Sequence, residues 1–172
     1  MFCDLESFVN PQIQKQCLAL AASLLQQGQR MATAESCTGG MIAASCTDLS
    51  GSSAWFERGF VTYSNDAKTD MLGVPAALIG QHGAVSEEVA KAMALGALAH
   101  SKADFSVAVT GIAGPTGGSE AKPVGTVWLA WAEKKSGKCV SMLKIFPGDR
   151  QAVREATTAL ALAQLVKMVT GN

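Results

Sequence analysis

Apolar positions recur at helical spacing near the start of the chain, where Ile13, Cys17, Leu20, Ala21, Leu24 and Leu25 form one face. Asn10-Pro11 supplies the start of that helix, a capping side chain followed by proline at the first helical position, and Gly28 supplies the stop. The pattern then shortens. Arg30–Ala34 reads as a strand, and Met41–Cys46 as a buried helical run reaching about Asp48-Leu49. Trp55, Phe56, Phe60 and Val61 predict a strand through Phe56–Tyr63, interrupted at Gly59.

Ser64-Asn65-Asp66 caps a short helix that carries Lys68 and ends at Gly73. Pro75 opens another helical turn, broken at Gln81-His82-Gly83. Ser86-Glu87-Glu88 starts a helix with Val89, Met93, Leu95, Ala97 and Leu98 on its apolar side, ending near His100-Ser101. Phe105, Val107 and Val109 alternate with small residues, so Asp104–Thr110 is a buried strand. Gly125–Ala132 and Lys138–Phe146 predict an antiparallel hairpin. Pro147-Gly148-Asp149 caps a last helix with Val153, Ala156, Leu160, Ala163, Leu165 and Val166 on its apolar side. Strands and helices alternate, then a hairpin follows. That order predicts a layered α/β domain with a mixed sheet covered by helices, and one domain over 1–172.

Composition changes this picture in two respects. Charged residues make up only 16% of the 172, against about 25% in an average soluble domain, which points to a subunit interface or to alanine-rich helices. Fourteen basic and fourteen acidic side chains cancel, so neither nucleic acid nor a membrane surface is an expected partner. Five scattered cysteines (Cys3, Cys17, Cys37, Cys46 and Cys139) without a Cys-x-x-Cys pair, and two histidines, argue against a disulfide framework and a zinc site. Met1–Glu6 has two acids and no basic stretch, unlike a signal peptide, and no apolar run approaches the length of a membrane span. A reduced, cytoplasmic protein is the expectation.

Candidate chemistry gathers at Ala34-Glu35-Ser36-Cys37-Thr38-Gly39-Gly40, a strand-to-helix turn. Such a turn offers N–H groups at a helix start, and Gly39 and Gly40 let a ligand approach the backbone. Ser36 is either a nucleophile beside oxyanion donors or, like Thr38, a plain helix cap. Cys37 is either a thiolate nucleophile or a small core residue. The loop Gly111–Gly118, after Thr110, matches neither a Walker A motif nor a dinucleotide fingerprint; it is either an anion nest or a connector. A serine nucleophile needs a base, and His82, His100 and Lys68 are the candidates. Tyr63 and Lys68 both fall near the same sheet rim, but their spacing is one residue longer than the Tyr-x-x-x-Lys of short-chain dehydrogenases. Arg150, in the first turn of the last helix, is placed to clamp a phosphate or to sit in solvent.

Four segments occur in a recognisable order: the 34–40 turn, Gly83-Ala84-Val85-Ser86, Thr110–Gly118, and Lys122-Pro123-Val124-Gly125-Thr126-Val127. Together they resemble the CinA C-terminal domain family, with similarity from about Gln12 to Lys167. The resemblance implies an α/β/α sandwich that hydrolyses the carboxamide of nicotinamide mononucleotide to nicotinic acid mononucleotide and ammonia, recycling pyridine nucleotides without cofactor or metal. It implies Ser36 as nucleophile and Lys68 and Tyr63 as proton-handling partners. Thr38, Gly39, Gly40, Thr110, Gly111, Gly114 and Arg150 would surround the substrate. Many relatives carry this domain behind a larger N-terminal one, and this chain resembles the last part alone. A homodimer is expected. The rival is a catalytically silent nucleotide-binding module linked to competence or DNA damage.

Overall fold

Asn10 caps the first helix, its Oδ1 accepting from Gln12 N at 2.9 Å, in the computed structural model, which describes residues 10–171. Helix α1 (Pro11–Gln27) leads to β1 (Met31–Glu35), α2 (Met41–Thr47), one 3-10 turn at Ser52–Ala54 and β2 (Phe56–Val61). Helices α3 (Asn65–Leu72), α4 (Ala76–His82) and α5 (Glu87–Ala99) follow. Strands β3 (Phe105–Gly111), β4 (Thr126–Glu133) and β5 (Cys139–Ile145) then precede α6 (Arg150–Thr170). The sheet order is β2-β1-β3-β4-β5, with β1 parallel to both neighbours and β3, β4 and β5 antiparallel. The mixed sheet expected from the alternation of elements is present, with helices on both faces.

Strand alternation sorts residues onto those faces. Phe105, Val107 and Val109 point to the side packed by α1, α2 and α6, in a core with Leu20, Leu24, Ile42 and Leu162. Ala32, Ala34, Ala108, Ala130 and Ala132 present small side chains to the other side, where α5 packs with Val89, Met93 and Ala97. Small residues let α5 lie close to the sheet. On β3 this places Ser106 against the Ala94 carbonyl (2.7 Å) and Thr110 against the Ala84 carbonyl (2.8 Å).

Several expectations need correction. Leu25 and Leu95 are 51% and 48% exposed, because each sits at the border of its helix's buried stripe. Helix α6 is rotated from the expected face. Thr157, Thr158, Ala161, Leu162 and Val169 are buried with Val153 and Leu165, while Ala156, Leu160, Ala163 and Val166 are half-buried. Thr157 and Thr158 tolerate this because their hydroxyls donate to the Val153 and Arg154 carbonyls, at 2.7 and 2.9 Å. Strand β2 stops at Val61 and α2 at Thr47, so Tyr63 lies in the connection to α3. No helix among the described residues is long and apolar enough to cross a membrane. The expectations on Met1–Glu6 and Cys3 fall outside the described residues.

Candidate active site

The parallel strands β1 and β3 end side by side, and Glu35 is the last residue of β1. Its carboxylate is fully buried and accepts from Thr38 Oγ1 (2.6 Å), Gly40 N (3.1 Å), Ile42 N (3.0 Å) and Ala43 N (2.8 Å). Its burial is compensated by these four hydrogen bonds, three of them from backbone N–H groups at the start of α2 that would otherwise lack partners. The chain turns around this carboxylate. Gly39 and Gly40 adopt φ of 60° and 100°, in the left-handed region where a side chain is strained. Their requirement is therefore the turn, and the α2 donors expected to face a ligand are occupied by Glu35. Thr38 is fully buried with its hydroxyl on Glu35, so it does not present that hydroxyl to a substrate either. Among the described residues, the Cys37 and Thr38 N–H groups donate to no acceptor, whereas Ser36 N donates to Val109 O and Gly39 N to Ser36 O.

Ser36, at the head of the turn, is half-buried and hydrogen-bonded through Oγ to Lys68 Nζ at 3.1 Å. Ser64 positions Lys68 by capping α3, its Oγ accepting from Ala67 N at 3.0 Å. Lys68 is 1% exposed, and its Nζ also donates to the Thr62 carbonyl at 2.9 Å. No carboxylate among the described residues lies within ion-pair distance of it. Burial therefore holds its ammonium below the usual lysine value, opposed only by any negative charge on Cys37. An amine of this kind can take a proton from a serine hydroxyl.

Ser36 and Lys68 line a pocket of about 230 Å³ together with Tyr63, Thr110, Gly111 and Arg150. These residues come from four separate parts of the chain. A second hollow of about 500 Å³ shares Ala113 and Arg150 with the first. Arg150 donates from Nη1 to the Gly114 carbonyl (2.9 Å) and from Nη2 to the Tyr63 hydroxyl (2.7 Å). Tyr63 is 59% exposed and makes no hydrogen bond to Ser36 or Lys68, so the expected proton relay through it has no direct path. Thr110 lines the pocket wall with its hydroxyl donated to Ala84 O. Gly111 is required for another reason than a ligand: a Cβ there would lie 2.7 Å from Val127 Cγ2 on β4.

Of the other candidates, the two histidines lie outside the lining of this pocket, whereas Cys37 is part of it. His82 pairs with Glu88 at 3.3 Å, and His100 Nδ1 lies 2.9 Å from the Gly96 carbonyl, so neither imidazole serves Ser36. Cys37 is 6% exposed, and burial pushes its thiol up to about 11, the reverse of an activated thiolate. No cluster of three or more His, Cys, Asp or Glu among the described residues is placed to hold a metal ion. Three participants went unassigned in the sequence. Glu35 stood inside the motif, where an acid just before a helix start is a legible signal. Asn65 lines the pocket, and Arg154 donates to Thr38 O at 2.8 Å; only the fold brings them there.

Fold and site together define a three-layer α/β protein with a hydroxyl–amine pair at the carboxyl rim of its parallel strands. Residues 13–169 match the family model described as the CinA C-terminal domain. Nicotinamide-nucleotide amidohydrolase PncC of Escherichia coli (strain K12) is 56% identical over 150 residues, covering 87% of this chain and 90% of that protein. PncC of Pseudomonas putida is 55% identical over 151 residues, covering 88% and 93%. The crystal structure of competence/damage inducible protein CihA from Agrobacterium tumefaciens superposes with a TM-score of 0.91 at 45% identity, covering 94% of this chain and 98% of that one. The chain belongs to the CinA C-terminal domain family.

Proposed function

We propose that the protein is a cytoplasmic nicotinamide-nucleotide amidohydrolase, one domain over 1–172, that converts nicotinamide mononucleotide to nicotinic acid mononucleotide and ammonia. The observation that carries this reading is the Ser36–Lys68 hydrogen bond, made by a buried lysine that pairs with no carboxylate among the described residues. The names of the PncC relatives supply the substrate.

Neutral Lys68 removes the Ser36 proton as Oγ attacks the carboxamide carbon. The oxyanion is held by the N–H of Cys37, which lines the pocket, since Glu35 occupies the donors of α2 and Thr38 is fully buried. Such a donor is worth ~10²–10³ in rate. The proton on Lys68 passes to the departing ammonia, and the C–N bond breaks to leave an acyl-serine. Water, deprotonated by the same amine, then releases the acid and restores Ser36. Tyr63 enters in a changed place, as a pocket wall held by Arg150. Ammonia release from nicotinamide mononucleotide by the purified protein tests the whole reading. Binding without turnover would favour the silent nucleotide-binding module instead.

The phosphate is assigned to Arg150, which lies at the join of the two hollows with its guanidinium oriented by Gly114 and Tyr63. A charged hydrogen bond contributes about 1.5–3 kcal/mol, so Arg150→Ala raises KM roughly 10–100-fold with a smaller change in kcat. Nicotinamide riboside is correspondingly a poor substrate of the native protein. Equal kcat/KM for riboside and mononucleotide would place the phosphate elsewhere.

The same reading takes the protein as a homodimer. Its charge content is only 16%, and the edge strand β5 exposes Val140, Leu143 and Ile145, at 38%, 45% and 59%. Light scattering at micromolar concentration should give twice the 17.8 kDa chain mass; a monomer rejects the dimer.

A further inference from the structure

Helix α6 carries two arginines one turn apart, and each holds a carbonyl of a different loop at the strand ends. Arg150 reaches Gly114 in the loop after β3, and Arg154 reaches Thr38 in the turn after β1. Arg154 is half-buried, with Nη2 2.8 Å from Thr38 O. The same nitrogen lies 3.6 Å from where a Gly39 Cβ would stand, so the guanidinium packs over the turn. Its Nε is buried and has no hydrogen-bond partner, and no carboxylate among the described residues pairs with it. Folding alone gains little from a desolvated cation in that state. Arg154 lines neither hollow beside Arg150, so substrate contact does not explain it.

Thr38 explains it. Its hydroxyl is held from inside by Glu35 at 2.6 Å, and its carbonyl from outside by Arg154 and by Met41 N at 3.2 Å. Thr38 is itself fully buried and lines neither hollow, so what this clamp steadies toward the pocket is the neighbouring Cys37, which lines it. Among the described residues, the Cys37 N–H donates to no acceptor. We propose that Arg154 is a positioning residue for the amide hydrolysis, acting through the Thr38 carbonyl to hold the turn so that the Cys37 N–H meets the oxyanion. The inference rests on the amidohydrolase reading of the Ser36 pocket. Its guanidinium also places positive charge on the turn where the anion develops, without touching the substrate.

Arg154→Met tests this, because it keeps a long apolar stem and removes both the donor and the unpaired charge. Misplaced donors cost up to ~10²-fold, so kcat on nicotinamide mononucleotide should fall about 10–100-fold. KM should stay within about twofold, the pH midpoint of kcat/KM should not move, and thermal stability should be unchanged or higher. Arg154→Lys, which restores a charged donor on a shorter reach, should recover part of the lost kcat. A Met variant with wild-type kcat beside an active wild type overturns this inference alone. So does a loss carried entirely by KM, which would make Arg154 a substrate ligand. Should Arg154→Met not fold, wild-type kcat in Arg154→Ala at low temperature overturns it equally. A native protein that releases no ammonia overturns the amidohydrolase reading and this inference with it.

Discussion

Ser36→Ala and Lys68→Met each lower kcat by at least ~10³-fold, and the double variant falls no further, because a nucleophile and its base act as one unit. The two groups are 3.1 Å apart, and both imidazoles are engaged elsewhere. Cys37→Ala stays active, since its thiol is buried and held protonated near neutral pH by a pKa of about 11. Turnover by Ser36→Ala with a dead Cys37→Ala would reverse the assignment. The pH profile carries an independent sign. Lys68 accepts a proton only when neutral, so kcat/KM rises with pH, and its midpoint falls below the ordinary lysine value of 10.5. Between those two values the unfolded chain binds a proton at Lys68 that the native one does not, so wild-type stability increases with pH across that window. The penalty is present in full below the native midpoint and is gone above 10.5. Lys68→Met lacks this slope. Denaturant titrations of the two proteins should therefore shift in the wild type's favour as pH rises, and parallel curves would mean that Lys68 titrates in the folded protein as it does in the unfolded chain.

Glu35→Gln should destabilise the protein by about 2 kcal/mol, and Glu35→Ala by about 4, because each leaves buried donors without acceptors. In the native protein Oε2 serves Thr38, Gly40 and Ile42 while Oε1 serves Ala43. An amide nitrogen in place of either oxygen sets donor against donor. Activity should fall beyond the loss of folded protein, since Glu35 is the inner clamp on Thr38 and releasing it frees the α2 donors to compete for the oxyanion. Urea titration at fixed pH, combined with kcat per folded molecule, separates the two effects. Wild-type stability together with wild-type kcat in Glu35→Gln would remove Glu35 from the account.

The two halves of the site were legible to different degrees. The 34–40 segment was readable because its residues are adjacent and their types are tied to local geometry: an acid before a helix start, hydroxyls, two glycines at a turn. Lys68 stood among the candidate bases from its place near the sheet rim, and the resemblance that covers the chain gave it the role, since its spacing from Ser36 carries no local signal. Arg154 had none at all. A guanidinium on the ordinary polar side of a helix reads as a solvated charge, and only the packing of α6 against α2 turns it onto Thr38.

The sequence by itself determined the order and type of elements, the apolar and small residues that bury both faces of β1, β3 and β4, and the position of the turn. Those follow from propensities and periods that act over a few residues, such as the proline and asparagine that start α1 and the small residues that alternate along β3. The tertiary structure alone decided which donors remain free and which amine has its pKa lowered by burial. Whether an α2 N–H faces a ligand depends on where the Glu35 carboxylate folds back, and whether Lys68 gives up its proton depends on how completely α3 and the strand ends exclude water from Nζ. Desolvation and hydrogen-bond competition are sums over neighbours from β1, α2, α3 and α6, and those neighbours exist only once the chain has closed around them.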